Sequence, residues 1–387
     1  MPLPLTPRRV LVVMPNWLGD VVMATPTLRA LRLRYPQAHL TAMVRRVFMP
    51  VLDGCPWVDR MITLRPPREG GGRRGRGRSV RGLCERMRAG RFDLALILPG
   101  GLRWALAAWL AGVPRRVGYR SSARGLFLTD SLPTPDKRPH RGPRSSTLDD
   151  YLALEAQLGG QLGAPAGASP VDRSPRVHLR PTELAGALEL LARQGWTPAS
   201  GRPLVVLNPG ASNREAKRWF PERFAAVGDR CARELGAVVA VNGSPAERGV
   251  VDAVHAAAEL PLLDLDRLGV DIRLLKGVLR LASLVVSNDT GTRHLAAALG
   301  TPCVGVFGPT DPALSQLGLA HDRHVRIEVP CGPCERERCP LRDPATHLAC
   351  MRGVEVERVM VEARQWIGRR PEATPEVPPK HPPMPLG

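Results

Sequence analysis

The stretch "SNDTGTRHLAAALGTPCVGVFGPTDP", residues 287–312, decides how this chain is read. It begins where a short apolar run, "LASLVVS" (281–287), stops abruptly. That run has the continuous hydrophobicity of a strand buried on both faces. "TRHLAAALG" (292–300) is rich in helix formers and closes on Gly300 as a C-cap. "TPCVGVFG" (301–308) is then a second apolar strand. Strand, polar turn, helix and strand make a βαβ unit, and such units bind ligands at the carboxyl ends of their strands. The turn itself admits two readings. Asp289 or Thr290 caps the helix and does nothing more, or the cluster Ser287–Gly291 holds a ligand.

The rest of the chain extends the pattern. At 387 residues it is long for one core, so two domains are expected. Near the start, "RRVLVVMPNWLGDVVMATPTLRALRLRYP" (8–36) predicts a strand at 9–14, a polar turn at 15–20 and a helix from about 20 to 35. "HLTAMV" and "FDLALILPG" are further strands, "LRWALAAWLAGV" a helix and "RRVGY" a short strand. This alternation predicts a parallel, doubly wound sheet. After a Gly/Ala/Pro-rich boundary at 159–175 the pattern restarts. "PTELAGALELLARQGW" is a helix and "PLVVLNPG" a strand. "FPERFAAVGDRCAREL" is a helix, "GAVVAVNGS" a strand, and "PAERGVVDAVHAAAE" and "DIRLLKGVLRLAS" are helices. The expected fold class is α/β, with Rossmann-like halves at 1–175 and 176–370. The Gly/Arg-rich segment at about 65–91, with its ten arginines, reads as a mobile loop, and the Pro-rich tail at 371–387 as disordered.

Composition narrows the partners. Net charge is +19, carried by arginine far more than lysine, which suits an anionic surface, a phosphorylated substrate or nucleic acid. Aromatic content is 4%, and no aromatic residues interleave the basic stretches as base stacking requires, so no nucleic acid is expected. No apolar run reaches the roughly 18 residues of a transmembrane helix. The first residues lack a charged region followed by an apolar core, so no secretory signal and a cytoplasmic location are expected.

Three polar turns stand at the ends of predicted strands. In "PNWLGD" (15–20), Asp20 opens a helix after Gly19. It is either an N-cap or a carboxylate at the sheet edge, facing an interdomain cleft as a general base would. In "NPGASNREAKRWFPERF" (208–224), Asn208 and Gly210 close a strand, and Lys217 and Arg218 precede a helix begun by Pro221. They are either solvated surface cations or ligands of a phosphate oxygen. In the third turn the amides of Thr290, Gly291 and Thr292 open a helix, where an anion is favoured. Asp289 beside them fits a sugar or ribose hydroxyl better than a bare phosphate, and His294 lies one turn further in. No P-loop pattern occurs anywhere.

Taken jointly, "PNWLGDVVMATPTLRALRLRYP", "NPGASNREAKRWFPERF" and "SNDTGTRHLAAALGTPCVGVFGPTDP" resemble the three signature segments of the ADP-heptose lipopolysaccharide heptosyltransferases, glycosyltransferase family 9. The resemblance covers residues 8 to 368. The "PNWLGD" and "AKRW" forms and the downstream cysteines are most similar to the heptosyltransferase II branch. The resemblance implies a GT-B fold, two Rossmann-like domains facing across a cleft. It implies an ADP-heptose donor and a lipid A–inner core acceptor at the inner membrane surface, extended at its first heptose. Asp20 then matches the catalytic base, and Lys217 the lysine that steadies the departing diphosphate. Asp289, Thr290, Gly291 and His294 match the donor turn, with no cofactor and no catalytic metal implied. The arginine-rich segment and the tail depart from the family pattern.

"CGPCERERCPLRDPATHLAC" places Cys331, Cys334, Cys339 and Cys350 at a spacing that suits either a structural tetrahedral metal or free thiols in a loop. Three other functions remain open on sequence. One is a family 9 enzyme acting on Kdo-lipid A or another core sugar, and another is a sugar-nucleotide epimerase. The third is a non-catalytic basic protein binding RNA or a membrane surface.

Overall fold

The computed structural model describes residues 6–64, 79–139, 144–159, 172–211 and 214–367. The first half runs β1 (Arg9–Val13), α1 (Leu18–Met23), α2 (Thr25–Arg34), β2 (His39–Arg45), α3 (Met49–Leu52), β3 (Arg60–Leu64) and α4 (Val80–Gly90). It continues with β4 (Leu94–Ile97), α5 (Leu102–Leu110), β5 (Arg115–Arg120), β6 (Asp130–Pro133) and α6 (Thr147–Ala156). The second half begins with α7 (Pro181–Arg193), β7 (Leu204–Asn208), α8 (Pro221–Leu235), β8 (Val238–Val241), α9 (Arg248–Ala257), β9 (Leu263–Asp264) and α10 (Ile272–Leu281). It ends with β10 (Leu284–Asn288), α11 (Gly291–Ala298), β11 (Cys303–Val306), α12 (Pro312–Ser315), β12 (Asp322–Val325), α13 (Ala349–Arg352) and α14 (Val356–Trp366).

Each half builds a six-stranded parallel sheet, ordered β3-β2-β1-β4-β5-β6 and β12-β11-β10-β7-β8-β9. Counted within its own half, the second sheet repeats the order of the first, so this is one Rossmann-like topology used twice. In each sheet the order reverses between the two central strands, β1 and β4, then β7 and β10. Loops diverge at that point and leave a crevice. The strands there are buried except at Arg9, which opens β1, as the continuous apolar runs require.

Several elements differ from the sequence reading. The helix expected from 20 to 35 is two helices, α1 and α2, parted at Ala24, because Pro26 sits in the first turn of α2 and cannot continue an existing ladder. The loop read over 65–91 ends earlier. From Val80 the chain is helix α4, with Ser79 accepting a capping bond from the Gly82 N–H at 3.1 Å. Leu83, Cys84 and Met87 are its buried stripe, an i, i+3/i+4 pattern that the surrounding arginines mask in composition. The remainder of that segment and the Pro-rich tail lie outside the described residues. Among the described residues, no helix is long and apolar enough to cross a membrane.

The two halves meet where the crevices face. One buried apolar cluster runs through β1, α1, α2 and α6 and on into α7, α10 and α11. The closest contact is α1 against α11. A Cβ on Gly19 would stand 2.5 Å from His294 Nδ1, and one on Gly291 would stand 2.7 Å from Leu18 Cβ and 2.9 Å from the Gly19 nitrogen. Away from the contact, α10 and α3 are joined by the fully buried Lys276. Its ammonium reaches Glu183 at 2.7 Å and the Pro50 carbonyl at 2.9 Å.

Gly291 tests that contact through the sign of its effect. In an open helix Gly→Ala stabilises by roughly 0.5–1 kcal/mol. Here the new methyl meets backbone of the other half, so Gly291→Ala is expected to destabilise by about 1–3 kcal/mol, the usual cost of overpacking. Urea unfolding reads it directly. A raised midpoint would mean that α1 and α11 have room to spare.

Candidate active site

The centre of the second half's crevice is Asp289. Its Oδ2 takes the Lys217 ammonium at 2.6 Å and the Thr310 hydroxyl at 3.0 Å, while Oδ1 takes the Ser315 hydroxyl at 3.0 Å. Arg293 Nη2 approaches Oδ1 at 3.6 Å. Burial alone would raise the carboxyl's pKa, but Lys217, then Arg293 and His294, hold it well below the usual range. This carboxylate stays ionised. It caps no helix either: Thr290 is the N-cap of α11, and neither side chain makes a capping bond. The simple capping reading of Asp289 therefore fails.

Lys217 closes a short 3₁₀ turn, Glu215–Lys217, in the loop between β7 and α8. Only 14% of its side chain is exposed, so it is not a solvated surface cation. Asn288, fully buried at the end of β10, holds that loop in place. Its Oδ1 accepts the Trp219 N–H at 3.0 Å, and its Nδ2 donates to the carbonyls of Pro209 at 2.8 Å and Gly210 at 3.3 Å. Arg218, half-buried, is fixed between Lys217 and Trp219, whose indole is buried and donates to the Val354 carbonyl at 2.9 Å. Asn208 ties β7 to the same turn. Its Nδ2 reaches the Ser287 hydroxyl at 3.2 Å and the Thr290 hydroxyl at 3.1 Å, and its Oδ1 accepts from Asn242 at 2.6 Å. A Cβ on Gly210 would lie 2.2 Å from Glu247 Oε1, the end of a flexible side chain.

Asp20 arrives from the first half. It is the third residue of α1, whose N-cap is Trp17. Among the described residues no hydrogen bond to its carboxylate is formed, so it is not a cap. Burial pushes its pKa up to about 6. Lys137 and Lys217 pull the other way, Asp289 adds to the rise, and Arg214 opposes it. That Lys217 and Asp289 both act on it places the three charges in one electrostatic neighbourhood.

His294 lies beneath this group and is 4% exposed. Its Nε2 meets the Ser315 carbonyl at 3.0 Å and Arg293 Nη2 at 2.9 Å. Among the described residues its Nδ1 has no hydrogen-bond partner, and it faces Gly19. Burial and the neighbouring Arg293 push its pKa down to about 4, so the ring is neutral at neutral pH. Thr292, 9% exposed, packs in the same first turn of α11.

The structure thus brings Asp20, Lys217, Asp289, Thr290, Gly291 and His294 together, with Asn208, Gly210 and Arg218 as the frame of the Lys217 loop. Sequence reasoning missed Thr310, Ser315 and Arg293, which complete the shell of Asp289. Thr310 falls in the turn after β11 and Ser315 at the end of the short helix α12, and neither carried a distinct signal. Lys137 was missed as well. It lies in the loop after β6, bonded to Asp150 at 2.7 Å and Thr147 at 2.8 Å on α6, and only the α1–α6 packing brings it near Asp20.

The four cysteines are free thiols, and all line one cavity of about 310 Å³. The cavity also touches Ala216, whose N–H donates to the Glu337 carbonyl at 2.9 Å. Burial, and then the neighbouring Cys334, Cys331 and Cys339, push the Cys350 thiol up to about 11. Among the described residues, no three or more Cys, His, Asp or Glu side chains are gathered as a metal would need. In this structure the cysteine loop is packed beneath the Lys217 turn.

The chain is similar to known proteins. The family model described as glycosyltransferase family 9 (heptosyltransferase) matches residues 80–344. Lipopolysaccharide heptosyltransferase 2 of Salmonella typhimurium is 29% identical over 325 residues, 82% of this chain and 87% of that one. The enzyme of the same name from Escherichia coli is 29% identical over 320 residues, with the same coverage of 82% and 87%. Among solved structures, a family 9 glycosyl transferase of Veillonella parvula superposes with a TM-score of 0.76 at 23% identity, covering 95% of this chain and 98% of that one. E. coli ADP-heptose lps heptosyltransferase II gives a TM-score of 0.71 at 24% identity, covering 93% and 98%. The two facing Rossmann-like sheets are accordingly a GT-B fold. With a family model spanning well over half its length, and with this site at the meeting of its two crevices, the chain belongs to glycosyltransferase family 9.

Proposed function

We propose that this glycosyltransferase moves L-glycero-D-manno-heptose from ADP-heptose onto the first heptose of the lipopolysaccharide inner core, with inversion at the anomeric carbon. The observation that carries the reading is the pairing of two unlike carboxylates. Asp20 has a pKa near 6 on the first half, and Asp289, permanently ionised and paired with Lys217, lies on the second. The curated relatives named above, at 29% identity over most of both chains, support the donor and acceptor. In this reading residues 1–175 receive the acceptor and residues 176–370 the donor, and the reaction runs at the cytoplasmic face of the inner membrane.

The chemistry follows from the charges. Glycosyl transfer passes through an oxocarbenium-like state, positive on the sugar and increasingly negative on the departing diphosphate. Lys217 and the first-turn amides of α11 stabilise the leaving group, and Asp289 receives donor hydroxyls. Asp20 accepts the proton of the attacking acceptor hydroxyl. A base with a pKa near 6 is ionised at neutral pH yet basic enough to take a proton in the transition state. One base and no covalent intermediate suffice for inversion. Incubation with ADP-heptose separates this reading from an epimerase: ADP release must depend on acceptor. Truncated acceptors carrying no heptose or one heptose then identify the sugar that is extended. Equal release with the heptose-free acceptor would move the chain to a different step.

Lys217 is expected to serve both turnover and stability. Lys217→Ala should lower acceptor-dependent turnover about 10²-fold or more at saturating donor. It should also lower the unfolding midpoint, because buried Asp289 loses its closest cation. Adding Asp289→Asn should restore much of the midpoint and none of the turnover. Turnover that returned together with stability would make Lys217 purely structural.

For Asp20 the pH dependence has a definite sign. kcat/KM should climb with pH up to about 6 and then level off, as the base ionises. Asp20→Asn should flatten that limb and reduce transfer about 10²–10⁴-fold while ADP still binds. The raised pKa means that the folded state holds this proton more tightly than the unfolded chain. Its stabilising contribution is full below about pH 4 and is lost as pH rises through about 6. The Asn variant should therefore match the wild type in acid and exceed it in stability above pH 6. A variant that transfers heptose at the normal rate would place the base elsewhere.

A further inference from the structure

Helix α5, "LRWALAAWL", is apolar on both sides. Its inner face buries Trp104, Ala105, Ala107 and Ala108 against the first sheet. Its outer face presents Leu102, Trp109 and Leu110, exposed at 44%, 49% and 42%, with Leu106 half-buried among them. Positions 102, 106, 109 and 110 share one side at helical spacing. Leu126, 80% exposed, extends the patch from the adjoining 3₁₀ segment Ser122–Phe127. Phe127 meets the Trp109 ring edge-on, with centroids 5.5 Å apart. A helix apolar all round is ordinarily buried. Half of this one is not.

Exposed arginines flank the patch. Residues 102–129 contain five arginines, Arg103, Arg115, Arg116, Arg120 and Arg124, of which Arg115 is paired with Asp130 at 3.1 Å and Arg124 is buried. Arg103 and Arg120 are exposed, and exposed Arg88 reaches across from α4, its Nη2 donating to the Leu110 carbonyl at 2.6 Å. Exposed Trp and Leu side chains bordered by arginines match the boundary between acyl chains and anionic headgroups. A soluble protein partner would have to neutralise the arginines with its own acidic groups. An anionic bilayer supplies that charge and an apolar layer together.

We infer that the outer face of α5, with Leu126, seats this protein on the surface of an anionic lipid bilayer. The face fits the site's geometry. Helix α5 leaves the carboxyl end of β4, the strand paired with β1, and β1 leads into the Asp20 turn. The seat therefore lies on the half proposed to take a lipid-linked acceptor, and to that extent it rests on the proposed function.

The test is co-sedimentation of the full chain with vesicles, without donor or acceptor, so that it stands apart from activity. Wild-type protein is expected to pellet with phosphatidylethanolamine–phosphatidylglycerol vesicles and not with phosphatidylcholine vesicles. Leu126→Glu should weaken that binding about tenfold or more. Its side chain projects into solvent, so the fold should be untouched. Trp109→Ser with Leu110→Ser should act in the same direction, and transfer to a lipid-free heptosyl oligosaccharide should stay at the wild-type level in both variants. Three outcomes overturn the inference: unchanged pelleting of Leu126→Glu, equal pelleting with phosphatidylcholine, or a wild-type dimer that Leu126→Glu splits. The last would make the face an interface between copies. Loss of transfer in wild-type protein that still bound vesicles would sink the proposed function and leave the seat standing.

Discussion

Everything at this site depends on how closely two helix starts approach across the halves. Gly19 and Gly291 are glycine because each would otherwise drive a Cβ into the other helix's first turn. That approach sets Asp20 among charges contributed by the second half. It also explains the state of His294. With Nδ1 facing the Gly19 backbone and no acceptor there, a proton on that nitrogen would be buried and unpaired. The neutral ring, donating from Nε2 to the Ser315 carbonyl, is the form that fits. His294 therefore spaces the two halves as well as lining the turn, and any charge it acquired would press on the contact that assembles the site.

Behind the contact lies a buried polar network that determines where the Lys217 loop sits. Asn208, Asn242, Ser287 and Thr290 satisfy one another at the strand ends of the second sheet. Asn288 spends its acceptor and both of its donor bonds on the backbone of the Lys217 loop. A satisfied network of this kind is rigid, because any rearrangement would strand a buried polar group at a cost of about 1–3 kcal/mol. The loop consequently presents its lysine to Asp289 without needing secondary structure of its own. The cysteine segment supports it from below through the Ala216–Glu337 bond.

Much of this was legible in the sequence because parallel strands at a sheet centre are continuously apolar and end in polar turns. "LASLVVSNDTG" and "LVVLNPG" declare both the strand and its active edge. The break at Ala24 was harder to see, since Val21 and Val22 continue the apolar rhythm into α2 and only Pro26 marks the interruption. Helix α4 was hidden by composition: arginine and glycine repeats set the reading of the whole segment, although Leu83, Cys84 and Met87 keep helical spacing. At the site, residues in strand-end turns were found, and those brought in by tertiary packing were not. Ser315 lies past β11, Arg293 reads as a helix-surface cation, and Lys137 sits in a polar loop far from Asp20 in sequence. Nothing local marks such residues, because their role is set by what folds against them.

The two carboxylates show what that packing accomplishes. Both are aspartates near the start of a helix after a central strand, and in sequence they are equivalent. Burial raises the proton affinity of each, but the compensation differs. Asp289 receives Lys217, Thr310, Ser315 and the edge of Arg293, so the charged form wins. Asp20 receives no hydrogen bond from the described residues and only the more distant fields of Lys137, Lys217 and Arg214, which Asp289 partly cancels. One environment fixes a permanent anion that holds a lysine in place, and the other leaves a carboxyl group that titrates just below neutral pH. When the environments of two like groups drive their proton affinities apart, they can take different parts in one reaction. The division depends on the closed contact. Moving α1 away from α11 would expose Asp20 to water and return it toward an ordinary carboxylate, while Asp289, held within its own half, would stay as it is.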